Sequence, residues 1–234
     1  MIKNYIKKTI NNLGYNLSRH KKFFDFKKHN INCVLDVGAH KGEFVKKIRN
    51  EGYEHEVISF EPQKYIHHSI ELESRFDNKW KVYPRCIVGK NRGKSFLKIF
   101  SETQCSSVLN PNKKFFDHDE NFKEIKVEEC RVEKLENIIN ELGLENKNIY
   151  LKIDTQGYEN EVLDGCEKKI EIFDFIQIEA CIYNLYENEK TFDYYFEYLK
   201  NKNYKIWDIK PFAYNKEGRL LQFDAIFKNR LKKK

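Results

Sequence analysis

Asp36-Val37-Gly38-Ala39-His40-Lys41-Gly42 is the stretch whose reading decides the fold. The apolar run Cys33 to Val37 leads into it, and Phe44, Val45 and Ile48 follow at helical spacing between Gly42 and Asn50. A buried strand that enters a glycine-bearing turn and leaves it as a helix is the setting of a nucleotide loop. Gly38 allows the sharp turn and a close approach to the backbone, and Gly42 allows the helix to pack closely on the strand. Free N–H groups at the helix start are expected to hold an anion such as a carboxylate.

The turn also discriminates between nucleotides. Counted from Gly38, a dinucleotide fingerprint needs a second glycine where His40 stands. That bulk obstructs a pyrophosphate, and the Asp36 carboxylate would repel one. The same carboxylate would attract the ammonium of an amino-acid-bearing nucleoside. S-adenosylmethionine has that ammonium and no pyrophosphate, so the turn favours it. Glu61 closes the next apolar run, Glu56 to Phe60, and its two acceptor oxygens suit a pair of ribose hydroxyls. Ala39, His40 and Pro62 complete the expected cofactor wall. Read alone, the glycines would mark an ordinary strand-to-helix turn and Glu61 a solvated strand end.

Outward from the turn, strand and helix patterns alternate. Lys81 to Val88 reads as a third strand, and Ser95 to Phe100 and Ile125 to Val132 as strands flanking a long insertion. Leu135 to Leu142 is helical and stops at Gly143. Asn148 to Ile153 is a strand, Glu159 to Cys166 a helix, and Phe173 to Ile178 an apolar run expected to be buried on both faces. Phe192, Tyr195, Phe196 and Leu199 mark a late helix, and Tyr204 to Ile209 with Leu220 to Phe227 form a hairpin around Asn215 to Gly218. The repetition implies an α/β domain with a mostly parallel sheet and an antiparallel edge.

With 234 residues, 40% hydrophobic and 15% aromatic, the chain is sized for one such domain. The formal charge of +7 is spread along the sequence, and no arginine-rich stretch interleaved with aromatics suggests nucleic acid as a partner. Cys33, Cys86, Cys105, Cys130, Cys166 and Cys181 include no C-x-x-C pair, so neither zinc nor a redox couple is indicated, and a reducing cytoplasm is expected. No signal peptide or membrane-spanning run is visible. Ile2, Tyr5, Ile6, Thr9, Ile10 and Leu13 recur at helical spacing between lysines, as in a helix that covers the core or lies on a membrane surface. Residues 1–30 are accordingly read as a helical extension, 31–230 as the domain and 231–234 as a basic tail.

At these residues the sequence resembles the FkbM family of methyltransferases. Ile58-Ser59-Phe60-Glu61-Pro62 looks like the family's second-strand signature, and Ser106-Ser107 its serine pair. Leu151-Lys152-Ile153-Asp154-Thr155-Gln156-Gly157-Tyr158-Glu159 is similar to its most distinctive motif, followed by Val162-Leu163-Asp164-Gly165, Ile178-Glu179, Leu185-Tyr186 and Leu221-Gln222-Phe223-Asp224. His40 stands where asparagine is common, and Gln156 where glutamate often occurs. The resemblance implies a Rossmann-like class I methyltransferase fold with a seven-stranded sheet, and O-methylation, frequently of a sugar hydroxyl in a glycan or a secondary metabolite.

For that chemistry Asp154, at the end of a central strand, is the candidate general base, with orientation of the acceptor or ligation of a divalent metal together with Glu179 as alternatives. Glu159 reads first as a complement to a helix dipole. Ser106, Ser107 and His118 are candidates for contact with cofactor or acceptor. The absence of an N/D-P-P-Y/F motif argues against methylation of a nucleobase. A nicotinamide-dependent oxidoreductase and a non-catalytic nucleoside-binding protein are the competing readings.

Overall fold

A computed structural model describes residues 22–113 and 122–232. The amphipathic stretch Met1 to Leu13 and His118 lie outside the described residues. The elements run β1 (Cys33–Val37), α1 (Glu43–Asn50), β2 (Glu56–Phe60), α2 (Lys64–Ser74), β3 (Trp80–Val82), β4 (Ile87–Val88), β5 (Gly93–Phe100), β6 (Glu124–Glu133), α3 (Leu135–Leu142) and β7 (Ile149–Ile153). After them come α4 (Glu159–Asp164), β8 (Phe173–Cys181), α5 (Phe192–Asn201), β9 (Tyr204–Tyr214) and β10 (Leu220–Asn229).

The main sheet has seven strands in the order β3-β2-β1-β7-β8-β10-β9. β1 pairs in parallel with β2 on one side and β7 on the other, and β7 pairs in parallel with β8. All residues of β1 and β7 are buried, as central parallel strands covered on both faces require. β10 returns antiparallel between β8 and β9, which gives the expected antiparallel pair at one edge. Pro211, which has no N–H to give a neighbour, sits on the outermost strand β9.

Lys81 to Val88, expected as one strand, is two. Pro84 interrupts it, so β3 stays with the main sheet while Ile87–Val88 joins a second, three-stranded sheet in the order β4-β6-β5. The two strands that flank the insertion, β5 and β6, pair antiparallel and lay Leu97, Ile99, Cys130 and Val132 inward.

Residues 22–30, placed by the sequence reading in a helical extension, form turns. Phe26 packs edge-on against Tyr150 and Phe24 edge-on against Phe175, with Phe24 also tilted against Tyr150, on one face of the main sheet. Among the described residues no helix is long and apolar enough to cross a membrane.

Candidate functional site

The C-terminal ends of β1, β2, β7 and β8 and the N-terminal end of the antiparallel β10 open into one cavity of ≈ 630 Å³. Its wall includes Gly38, Ala39, His40, Glu61 and Pro62 from the first two strand ends and Asp154, Gln156, Glu179, Gln222 and Asp224 from the later ones. Ligands of open α/β sheets bind in this position.

Gly38 has φ +81, and a Cβ there would lie 1.7 Å from the carbonyl oxygen of Asp154. The turn after β1 thus rests directly on the turn after β7. Gly42 has φ +74, and a Cβ there would strike the Trp80 ring at 2.7 Å, which bears out its expected part in close packing. Backbone N–H groups of the turn before the helix are already engaged within the protein. Gly38 and Ala39 both donate to the carbonyl of Phe60, Gly42 donates to that of Ala39, and His40 donates to Glu61 Oε2 at 2.7 Å. A turn whose donors are consumed by β2 has none of these groups left for a diphosphate.

Glu61 is almost fully buried. Its Oε1 accepts from the Gln63 N–H at 2.8 Å while Oε2 holds His40. Burial pushes its carboxyl up to about 7, against the two backbone donors that hold it down. The His40 ring lies 2.9 Å from Thr103 Oγ1 and 3.3 Å from Glu43, and burial lowers its pKa below the usual imidazole value.

Asp36 was expected to meet an ammonium from the ligand. It is instead 0% exposed and already paired within the protein. Lys152 Nζ stands 3.2 Å from its Oδ1, and Ser59 Oγ donates to its Oδ2 at 3.3 Å. The strand register explains this. Ser59, Asp36, Lys152 and Gln177 lie side by side on β2, β1, β7 and β8, a polar row of which Lys152 and Gln177 reach the cavity. Burial raises the Asp36 carboxyl, and Lys152 opposes that rise. For Lys152 burial works against the charge, but Asp154 and Asp36 outweigh it and lift the ammonium above the ordinary lysine value. Sequence reading assigned Lys152 no role. The available signal was a lysine inside an otherwise apolar strand.

Asp154 reaches the cavity. Its Oδ2 lies 3.3 Å from Lys152 Nζ, and its Oδ1 accepts from Gln156 Nε2 at 2.9 Å. The same amide nitrogen donates to Glu179 Oε1 at 3.0 Å, and Gln222 donates to that oxygen at 2.8 Å. Burial, with the neighbouring Asp154, Glu159 and Asp224, raises Glu179 well above the usual carboxyl range. The Gln156 amide therefore stands between the two carboxylates proposed as metal ligands. Among the described residues no group of three or more acidic, histidine or cysteine side chains is placed to hold a metal ion.

The remaining candidates divide. Ser106 lines the cavity. Ser107 does not, and its hydroxyl donates to the Gln156 carbonyl at 2.7 Å, tying the insertion to the turn after β7. Glu159 is buried away from the cavity, with Oε1 accepting from the N–H groups of Thr155 at 2.7 Å and Gly157 at 3.2 Å. Both serve the shape of the site.

The wall fits a cationic nucleoside. Glu43, Glu61, Asp154, Glu179 and Asp224 line it beside Lys41, Lys47 and Lys152, so acidic side chains outnumber basic ones on the wall. Together, sheet order and site place the molecule among class I S-adenosylmethionine-dependent methyltransferases. Residues 36–206 match the methyltransferase FkbM domain, and the chain belongs to that family.

Among solved structures it is similar to a methyltransferase FkbM from Methylobacillus flagellatus KT, at 15% identity and a TM-score of 0.54 over 84% of this chain and 44% of that one. The present chain thus spans less than half the length of that protein. It also matches a putative RNA methyltransferase from Pyrococcus horikoshii (13% identity, TM-score 0.45, 89% of this chain and 79% of that one). A third match is Aeropyrum pernix fibrillarin, solved with natively bound S-adenosyl-L-methionine (8% identity, TM-score 0.45, 83% and 66%). No curated protein sequence matches.

Proposed function

We propose that this chain transfers a methyl group from S-adenosylmethionine to a hydroxyl oxygen, that of a sugar in a glycan or of a polyhydroxylated small molecule. The observation that carries the reading is that one cavity joins the Gly38 turn and Glu61 to the Asp154 and Glu179 carboxyls. When bound, the cofactor supplies an electrophilic methyl on a sulfonium, open to in-line displacement.

Glu61 offers its remaining acceptor capacity to the ribose hydroxyls, and Gly38, Ala39, His40, Gly42 and Pro62 shape the surrounding wall. Asp154, ion-paired with Lys152, accepts the proton of the attacking hydroxyl. Burial pushes Glu179 toward its protonated form, in which it donates to a neighbouring oxygen of the acceptor. The side-chain amides of Gln104, Gln156, Gln177 and Gln222 on the same wall present both donors and acceptors, which suits an acceptor rich in hydroxyls. Five buried free thiols support placement in a reducing cytoplasm.

The test uses methyl-labelled S-adenosylmethionine and a cell-surface glycan fraction. Label is expected in a base-stable methyl ether, and label appearing only on nitrogen or in a hydrolysable ester overturns the hydroxyl assignment. In the same assay Asp154→Asn should cut transfer by roughly 10²–10⁴-fold while S-adenosylhomocysteine still binds in calorimetry. Unchanged turnover would remove Asp154 from the chemistry. Loss of transfer with binding intact separates an enzyme from a nucleoside-binding protein.

A further inference from the structure

The buried ammonium of Lys152 meets three acceptors from different parts of the site. It donates to the Gly38 carbonyl at 2.9 Å and stands 3.2 Å from Asp36 Oδ1 and 3.3 Å from Asp154 Oδ2. An ammonium has three N–H donors, and here each faces an oxygen, so the group is fully matched although it is only 6% exposed. Asp36 Oδ1 is buried and accepts no well-formed hydrogen bond, so the ion pair with Lys152 at 3.2 Å is its compensation.

This arrangement differs from an ordinary buried ion pair. A lysine needed only to neutralise Asp36 would have no cause to reach the Gly38 carbonyl and the Asp154 carboxylate as well. Asp36 lies one strand position before Val37, and Asp154 one position after Ile153, so the ammonium bridges two layers of the sheet edge. It links the turn on the cofactor side to the carboxylate on the acceptor side through a single rigid point. Gln156 holds the other oxygen of Asp154, which leaves the carboxylate two anchors and a fixed plane.

We propose that Lys152 is a positioning residue for methyl transfer: anchored on Asp36 and the Gly38 carbonyl, its ammonium sets the Asp154 carboxylate relative to the cofactor turn. The proposal rests on the reading of Asp154 as the proton acceptor. Its consequence is that the distance between donor methyl and acceptor oxygen depends on a residue that touches neither. A displacement of about 1 Å at such a site is enough to lower turnover by about 10²-fold.

Removing Lys152 alone would strand two carboxylates and threaten the fold. The test therefore pairs Lys152→Met with Asp36→Asn/Lys152→Met, in which one charge of each sign is gone. Labelled S-adenosylmethionine and the surface glycan fraction supply the activity assay, and S-adenosylhomocysteine is the binding probe. The double variant is expected to fold and to bind the probe within about tenfold of the parent, yet to lose about 10²-fold in kcat with little change in acceptor KM. Recovery of parental kcat in the double variant overturns the proposal, because Lys152 would then be only the counter-ion of Asp36.

Asp154→Asn run alongside separates the two ideas. If it keeps full turnover, the proton-acceptor reading falls, whereas an inactive Asp154→Asn beside a fully active double variant sinks the positioning role alone. One measurement needs neither turnover nor a Lys152 variant. The ¹⁵N resonance of the Lys152 ammonium should move when Asp154 becomes asparagine, and an unmoved resonance would show that the two groups are not coupled.

Discussion

The turn after β1 and the turn after β7 are each held by a buried glutamate that accepts backbone N–H groups, and each contains a glycine at positive φ. They differ in where the glutamate comes from. Glu61 reaches His40 from the neighbouring strand, so the first turn exists only once β1 and β2 have paired. Glu159 binds Thr155 and Gly157 within its own segment, so the second turn is local. They differ also in what the glutamate faces, because Glu61 lines the cavity and Glu159 does not. One device thus does two jobs. In the first turn the structural pin also lines the cavity, and in the second the pin stays behind while Asp154 and Gln156 face it.

The largest break in this comparison is expected from the two glycines. Gly38→Ala drives a methyl into the Asp154 carbonyl at a left-handed φ, with backbone on both sides, and should cost about 4 kcal/mol or more and abolish S-adenosylhomocysteine binding. Gly157→Ala meets only the side chains of Tyr186 at 3.1 Å and Leu109 at 3.2 Å and should cost about 1–2 kcal/mol. Chemical denaturation of both variants checks the ranking, and equal losses would mean that the first turn does not depend on that contact.

A smaller effect comes from pH. Burial pushes both Glu61 and Glu159 up to about 7, above the value of an exposed glutamate. A carboxyl raised on folding contributes stability that is complete below pH ~4.5 and is lost as pH climbs through ~7. Thermal unfolding should therefore show a lower Tm at pH 7.5 than at 5.5, by on the order of 1–2 kcal/mol for each group. A Tm that rises over this interval would show that the backbone donors keep both groups ionised throughout. The smallest effect separates the glutamates by function. Glu61→Gln should weaken S-adenosylhomocysteine binding by about tenfold, whereas Glu159→Gln should lower stability and leave that binding within about twofold. Calorimetry on the two variants decides it.

The same contrast explains what was legible beforehand. Strand, glycine, helix and the acidic strand end lie within Cys33 to Glu61, and their residue types have few other uses, so the sheet and the cofactor side could be read from local pattern. Asp154 and Glu179 were recognisable as strand-end carboxyls. What joins them was not, because the amides of Gln156 and Gln222 and the ammonium of Lys152 come from β7, the turn behind it and β10, and only the register brings them together. Asp36 was misjudged for the same reason, since its partner lies 116 residues away on β7. Pro84 was the local mark that Lys81 to Val88 could not be one strand. The serine pair could not be divided in advance, because adjacent residues on the insertion point to opposite sides.

One earlier contact has a practical consequence. The buried Trp80 ring lies against Gly42, and its indole N–H donates to Ser59 Oγ at 2.9 Å, whose hydroxyl in turn donates to Asp36. The chain has only one other tryptophan, Trp207, which is 41% exposed on the edge strand. The molecule thus carries one buried indole joined by a chain of hydrogen bonds to the carboxylate under its first turn, and one exposed indole at the far edge of the sheet, so the two differ sharply in their access to water.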